Sequence, residues 1–233
     1  MAILQLAMIV RCMLLIMVTT VVGWSSPTIV GPTGLIRMPT ADSVAYKQVV
    51  VGAYYLSAPV FQKGSVVSTE NQGHYIVNLG SFKDWELGIL GGSFLEEGVL
   101  VNAKYFLMSN NEEYPLSIAA GVQSIGSATD LSMYLVTSKR FSGGLHAHFG
   151  FNAFVQNKLN AVAMLGASYF LEENMAFMVD VIGADSDRYM LNVGGEIVIN
   201  NHFAIHVYGL DLVNPSDKSD TVYSIGISMN RYI

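Results

Sequence analysis

Three histidines (His146, His148, His206) and four charged residues (Glu86, Lys104, Asp180, Glu196) are the first candidates for acid–base, metal or nucleophilic chemistry in this chain. His146 and His148 are two residues apart. On a β-strand that spacing places both rings on one face, about 6–7 Å apart. A metal would need further ligands from other strands, and no ligand spacing signature supplies them. A hydrolase would need a serine, a histidine and an acid. Ser117, Ser132 and Ser224 fall on the same side of their segments as the histidines, without a local motif that marks a nucleophile. The pairs Gly91-Gly92, Gly143-Gly144 and Gly194-Gly195 open no helix, so they are not phosphate loops. Bulges or close packing account for them better. The reading that remains is polar filling of an interior, with hydrogen-bonded pairs such as Lys104 with Glu86. The sequence therefore assigns no catalytic residue, no cofactor and no metal.

The elements that carry these residues repeat. After residue 25 the chain shows period-two alternation in segments of roughly ten residues separated by turn residues. Twelve can be read: 46–56, 73–82, 85–95, 98–108, 115–125, 131–140, 145–155, 161–171, 175–183, 189–199, 203–212 and 221–232. In 99–107, Val99, Val101, Ala103, Tyr105 and Leu107 alternate with Leu100, Asn102, Lys104 and Phe106. In 145–153, Leu145, Phe149 and Phe151 oppose His146, His148 and Asn152. In 189–199, Tyr189, Leu191, Val193 and Ile197 oppose Asn192, Gly194 and Glu196. One face of each segment is bulky and apolar; the other is small or polar. Lys83-Asp84, Glu96-Glu97-Gly98, Glu172-Glu173-Asn174 and Asn200-Asn201-His202 are tight connections, and 57–72 and 213–220 read as longer loops.

A soluble barrel buries its bulky face, whereas a membrane barrel turns it to lipid. Composition chooses between them. Charged residues make up only 13% of the chain, and the polar faces are rich in Gly, Ala, Ser and Asn rather than Lys and Glu. A solvated outer face would carry more charge. Tyrosines near segment ends (Tyr46, Tyr55, Tyr75, Tyr105, Tyr114, Tyr169, Tyr189, Tyr223, Tyr232) match interfacial girdles. The fold class expected is all-β, an antiparallel up-and-down transmembrane β-barrel of about twelve strands. It spans 46–233 and lies in a bacterial outer membrane. A soluble lipocalin-like barrel is the competing fold. The mean hydropathy, +0.41, is high for an outer-membrane barrel. The polar faces, lumen-lining in this reading, hold Glu86, Asn102, Lys104, His146, His148, Asn152, Asp180, Asn192, Glu196 and His206. Net charge is −6, without a basic run, which excludes a nucleic-acid partner.

Residues 1–25 read as a secretory signal: Arg11 precedes the apolar stretch Met13–Val22, and Gly23 or Ser25 is a small residue suited to cleavage. Cys12, the single cysteine, lacks the small neighbour of a lipoprotein acceptor, and the mature chain can form no internal disulfide. Between signal and barrel lies 26–45. Gly31-Pro32 and Gly34 force a turn, and Leu35, Ile36 and Met38 require cover. Two readings stand: a tether to the first strand, or a plug in the periplasmic mouth formed by Leu35, Ile36, Arg37 and Met38. In the second, Arg37 needs an acidic partner, with Glu86 and Glu196 as candidates.

Thr33-Gly34-Leu35-Ile36-Arg37-Met38-Pro39-Thr40-Ala41 resembles the entry motif of YjbH-like barrels, a family linked to exopolysaccharide biosynthesis. Asn102-Ala103-Lys104-Tyr105, Ile118-Ala119-Ala120-Gly121-Val122 and the Tyr134–Phe141 stretch resemble the family's repeating pattern. The resemblance implies a single barrel module, non-enzymatic, serving exopolysaccharide or envelope biogenesis or export. It would have lipid, the barrel assembly machinery and polysaccharide or export partners around it. A small porin-like channel for small solutes is the alternative function.

Overall fold

The computed structural model describes residues 25–62, 65–93, 98–108, 115–155, 159–172, 174–185, 188–213 and 221–233. The signal reading, Tyr114, Glu96, Glu97, Glu173 and most of the 213–220 loop lie outside the described residues. Twelve strands follow one another: β1 (Gln48–Gln62), β2 (Ser65–Phe82), β3 (Trp85–Gly92), β4 (Leu100–Met108), β5 (Ser117–Ile125), β6 (Ser132–Arg140), β7 (Leu145–Val155), β8 (Leu159–Glu172), β9 (Met175–Asp185), β10 (Arg188–Asn200), β11 (Phe203–Leu210) and β12 (Val222–Tyr232). Each pairs antiparallel with the next, and β1 pairs with β12 from Gln48↔Tyr232 to Ser57↔Tyr223. The sheet is closed, so no edge is left unpaired, the condition for a sheet surrounded by hydrocarbon.

The alternation read from sequence becomes an outside and an inside. Val193, Ile197, Ile205, Val207, Ile225 and Ile227 are exposed, while Asn192, Glu196, His206, Ser224 and Ser228 are buried. Exposed aromatics form two belts. Tyr46, Phe82, Trp85, Tyr105, Phe141, Tyr169 and Tyr232 ring the end that holds the start of β1 and the end of β12; Tyr55, Tyr75, Tyr189 and Tyr223 ring the other. In an outer-membrane barrel of even strand number the first of these is the periplasmic end.

Two expectations change. The described residues of 57–72 are strand rather than loop. β1 and β2 stay paired out to Gln62↔Ser65, with one register shift near Val60. Consecutive residues 69–73 are all exposed, so this part of β2 has solvent on both faces. The inner faces are also not simply small or polar. Ile76, Leu90, Leu100, Val136, Met164, Ile182 and Leu210 point inward and are buried. They have something to pack against: residues 25–44 lie inside the barrel, with Ala45 exposed at its rim.

That inner segment folds back on itself twice, with bridges Pro27↔Thr33 and Gly34↔Pro39. Gly31 takes a φ of 121°, a conformation side chains disfavour, and a Cβ there would lie 2.1 Å from the Asn102 amide nitrogen. Leu35 and Ile36 join one apolar cluster with Tyr54, Ile76, Leu100 and Leu210. Met38 joins a second with Ala119, Val136, Val162, Met164 and Ile182.

Candidate functional site: the occupied lumen

A peptide segment inside a barrel must find partners for its amides, since an unpaired buried N–H costs roughly 1–3 kcal/mol. Part of the need is met internally: Thr28 donates to the Pro32 carbonyl at 2.8 Å, Ile29 to Ile36 at 2.9 Å and Leu35 to Met38 at 3.0 Å. The wall supplies the rest. One oxygen of Asp180, on β9, accepts three consecutive amides: Ile36 at 3.0 Å, Arg37 at 2.8 Å and Met38 at 3.0 Å. Its other oxygen accepts Asn192 Nδ2 at 2.6 Å. A fully buried carboxylate is here surrounded by donors on both sides, which is what allows the charge to be buried.

Glu86 on β3 is the second anchor. It accepts the Thr33 amide at 2.8 Å, the Thr33 hydroxyl at 2.6 Å and the Val44 amide at 3.0 Å. Lys104, on the adjacent β4, lies 3.3 Å from Glu86 and also donates to the Thr33 hydroxyl, the Thr33 carbonyl and the Asp42 carbonyl. The pair expected from sequence is present, and it binds both arms of the segment. Further contacts surround it. Asn78 donates to the Gly31 carbonyl at 2.7 Å, Tyr54 to the Pro27 carbonyl at 2.7 Å, and the Ala41 amide donates to Ser138 Oγ at 2.9 Å. Ser26 donates to Glu196 at 2.5 Å, and Arg140 holds the Asp42 carboxylate at the rim at 2.5 Å.

Of the polar residues assigned to the inner face, Glu86, Asn102, Lys104, His148, Asn152, Asp180, Asn192, Glu196 and His206 are buried, and His146 is half-buried, stacked obliquely on Phe170. They do not form one site. Asp180 with Asn192, Glu86 with Lys104, and Glu196 with His206 are three clusters on the wall, each gripping the same segment. Arg37 faces neither Glu86 nor Glu196. Its guanidinium reaches Met190 Sδ at 3.4 Å, and its amide is on Asp180. The acid that meets this turn lies deeper in the barrel than either candidate. Asn78, Tyr54, Ser138, Asp42 and Arg140 were missed from sequence. Parity places the first three on inner faces, but only the folded segment shows what they bond.

The structure also brings together a serine, a histidine and an acid. His206 Nε2 lies 2.7 Å from Ser228 Oγ, and its Nδ1 lies 3.3 Å from Glu196 and 2.9 Å from the Tyr208 hydroxyl. The connectivity is that of a Ser–His–acid relay. The surroundings are those of a packed core. Ser228 is 1% and His206 0% exposed, Ser26 occupies Glu196, and neighbouring strand amides are engaged in the β10–β12 ladder rather than aimed at an oxyanion. The arrangement pins the wall and the segment together. His146 and His148 line a cavity of about 40 Å³ with Asp42 and Ser168 near the periplasmic end. Among the described residues no group of three or more His, Cys, Asp or Glu could hold a metal.

No family model matches the chain, and neither does any curated protein. Solved structures do match. The KdgM porin superposes with a TM-score of 0.60 at 12% identity, over 77% of this chain and 98% of its own. A toluene transporter of Ralstonia pickettii, TbuX, gives 0.54 at 11%, over 91% and 96%. The NanC porin gives 0.51 at 9%, over 80% and 99%. The fold is that of a bacterial outer-membrane β-barrel. At these identities the likeness is one of architecture, and the occupied lumen is described from this chain alone.

Proposed function

We propose that the chain is a non-enzymatic outer-membrane barrel of the cell envelope whose passage is held shut by its own N-terminal segment. The observation that carries this reading is the grip of Asp180 and Glu86 on the backbone of residues 33–44. The wall binds the segment's backbone amides and also its Thr33, Ser26 and Asp42 side chains, which together fix it in place. Between the polar clusters the segment packs on apolar inner residues of the wall, and in this reading it closes the passage. A constantly open porin for small solutes is the weaker alternative for that reason.

In the same proposal the solute handled is an envelope or exported polysaccharide. The resemblance of Thr33–Ala41 to the entry motif of YjbH-like barrels supports it. The KdgM porin, of similar architecture, has been solved in complex with oligogalacturonate. Insertion would rely on the barrel assembly machinery and the surrounding lipid.

Planar-bilayer conductance tests the closure. The intact protein should be silent, and a variant lacking residues 28–38 should conduct in discrete steps. An intact protein that conducts like an open porin, or a deletion that stays silent while folded, would overturn the reading. The polysaccharide part is tested by measuring secreted polysaccharide in a host strain with and without the protein; equal amounts would remove it.

A further inference from the structure

The lipid-facing surface is dented near the periplasmic end. On β7 and β8 two alanines, Ala147 and Ala167, are paired directly across the ladder. Phe149 and Leu165 stand above them toward the bilayer centre, and Val179 borders Ala167 on β9. The result is a trough of about 530 Å³, lined almost entirely by apolar atoms. Its floor is the wall itself. At Gly166 a Cβ would sit 2.3 Å from Leu35 Cδ1, so the enclosed segment presses on the inner side of the same spot. The β7–β8 ladder runs through it without a register shift. The trough is therefore a pocket open to lipid only, not a slit into the lumen.

Its position selects an occupant. Lys139 is the penultimate residue of β6, pairs with Ala147, and borders the trough at the periplasmic end. Its ammonium lies 5.2 Å from the Phe141 ring centroid, at the level of the aromatic belt. A cation at headgroup depth above an apolar trough matches a phosphate joined to an acyl chain.

We propose that the outer face of β6–β9 holds one glycerophospholipid of the periplasmic leaflet, its acyl chain in the Ala147–Ala167 trough and its phosphate on Lys139. This rests on the reading of the chain as an outer-membrane barrel with its termini on the periplasmic side. Lipids of the outer leaflet would meet the wrong end of the trough.

Native mass spectrometry of the intact barrel, delipidated in mild detergent and then titrated with phosphatidylglycerol, tests it. The wild type should retain one phospholipid per barrel at collision energies that strip the others. Ala147→Phe and Ala167→Phe, which fill the trough, should abolish that retained lipid, and Lys139→Gln should weaken retention several-fold. Heat modifiability in SDS would verify that each variant is folded. Equal retention by folded wild type, Ala167→Phe and Lys139→Gln would show ordinary annular lipid and overturn the proposal. A wild type that stays monodisperse without detergent would instead overturn the membrane reading on which it rests.

Discussion

Replacing Asp180 by Asn keeps the shape and removes the charge. In the native lumen one carboxylate oxygen takes three amides and the other takes the Asn192 side chain. A hydrogen bond to a charged group contributes about 1.5–3 kcal/mol net, and one between neutral groups about 0.5–1.5. Keeping the oxygen but losing the charge therefore costs roughly 1 kcal/mol for each amide, about 3 in all. The amide NH2 adds a conflict, because it must face either Asn192 Nδ2 or the three backbone donors. The cost falls on local release of the segment, not on the barrel, whose ladders are untouched. At about 1.4 kcal/mol per tenfold, release becomes roughly a hundredfold more frequent. Hydrogen–deuterium exchange of a peptide covering 33–42 should then accelerate by about that factor, while peptides from β7 and β8 keep their wild-type rates. Unchanged exchange at 36–38 in a folded Asp180→Asn barrel would show that the carboxylate does not hold the segment.

Lys104→Met should destabilise by about 3–5 kcal/mol, because it strands the buried Glu86 charge, and the double variant Lys104→Met/Glu86→Leu should be closer to wild type; urea-driven unfolding in lipid vesicles would check both. Val193→Arg, near mid-strand on the lipid face, should cost about 2–4 kcal/mol in the same assay. Burial pushes the Asp42 carboxyl up, but Arg140, His148 and Lys104 together leave the group below its ordinary value of 3.8. Its contribution to seating the segment is therefore full above about pH 4 and lost as pH falls through the lower, folded value. Exchange at 40–45 should rise on acidification below that point, and Arg140→Gln should flatten the response. Ser228→Ala should leave the barrel folded, and wild-type Ser228 should not react with a fluorophosphonate probe; covalent labelling at that serine would give the buried relay a catalytic role.

The wall was legible in the sequence because lipid on one side and a packed lumen on the other impose the same period of two. Parity alone placed Asp180, Asn192, Glu196 and His206 inside. Parity also sets Leu100 on the face of Asn102 and Lys104, but it gives no reason for apolar residues such as Leu100, Met164 and Ile182 at inner positions until Ile36 and Met38 are known to meet those faces. The apolar residues 1–24 carry much of the high mean hydropathy, and the inward apolar residues of the barrel add to it. Asn192 is fully buried against Asp180, so a lysine at that inner position should be costly, unlike one in a water-filled lumen. The β1–β2 hairpin was misread as a loop because polar residues without alternation look the same in either state.

The inner segment touches β1 through Tyr54, β2 through Asn78, β3 and β4 through Glu86 and Lys104, β6 through Ser138, β9 through Asp180 and β10 through Glu196. Those strands face one another only after the sheet has curled. Before closure no flat stretch of the sheet can satisfy more than a few of the segment's amides, and each added curl brings another wall within reach. Seating this segment and closing the β1–β12 seam are therefore coupled: the segment reaches its full set of partners only in the closed barrel, whose diameter strand number and stagger set.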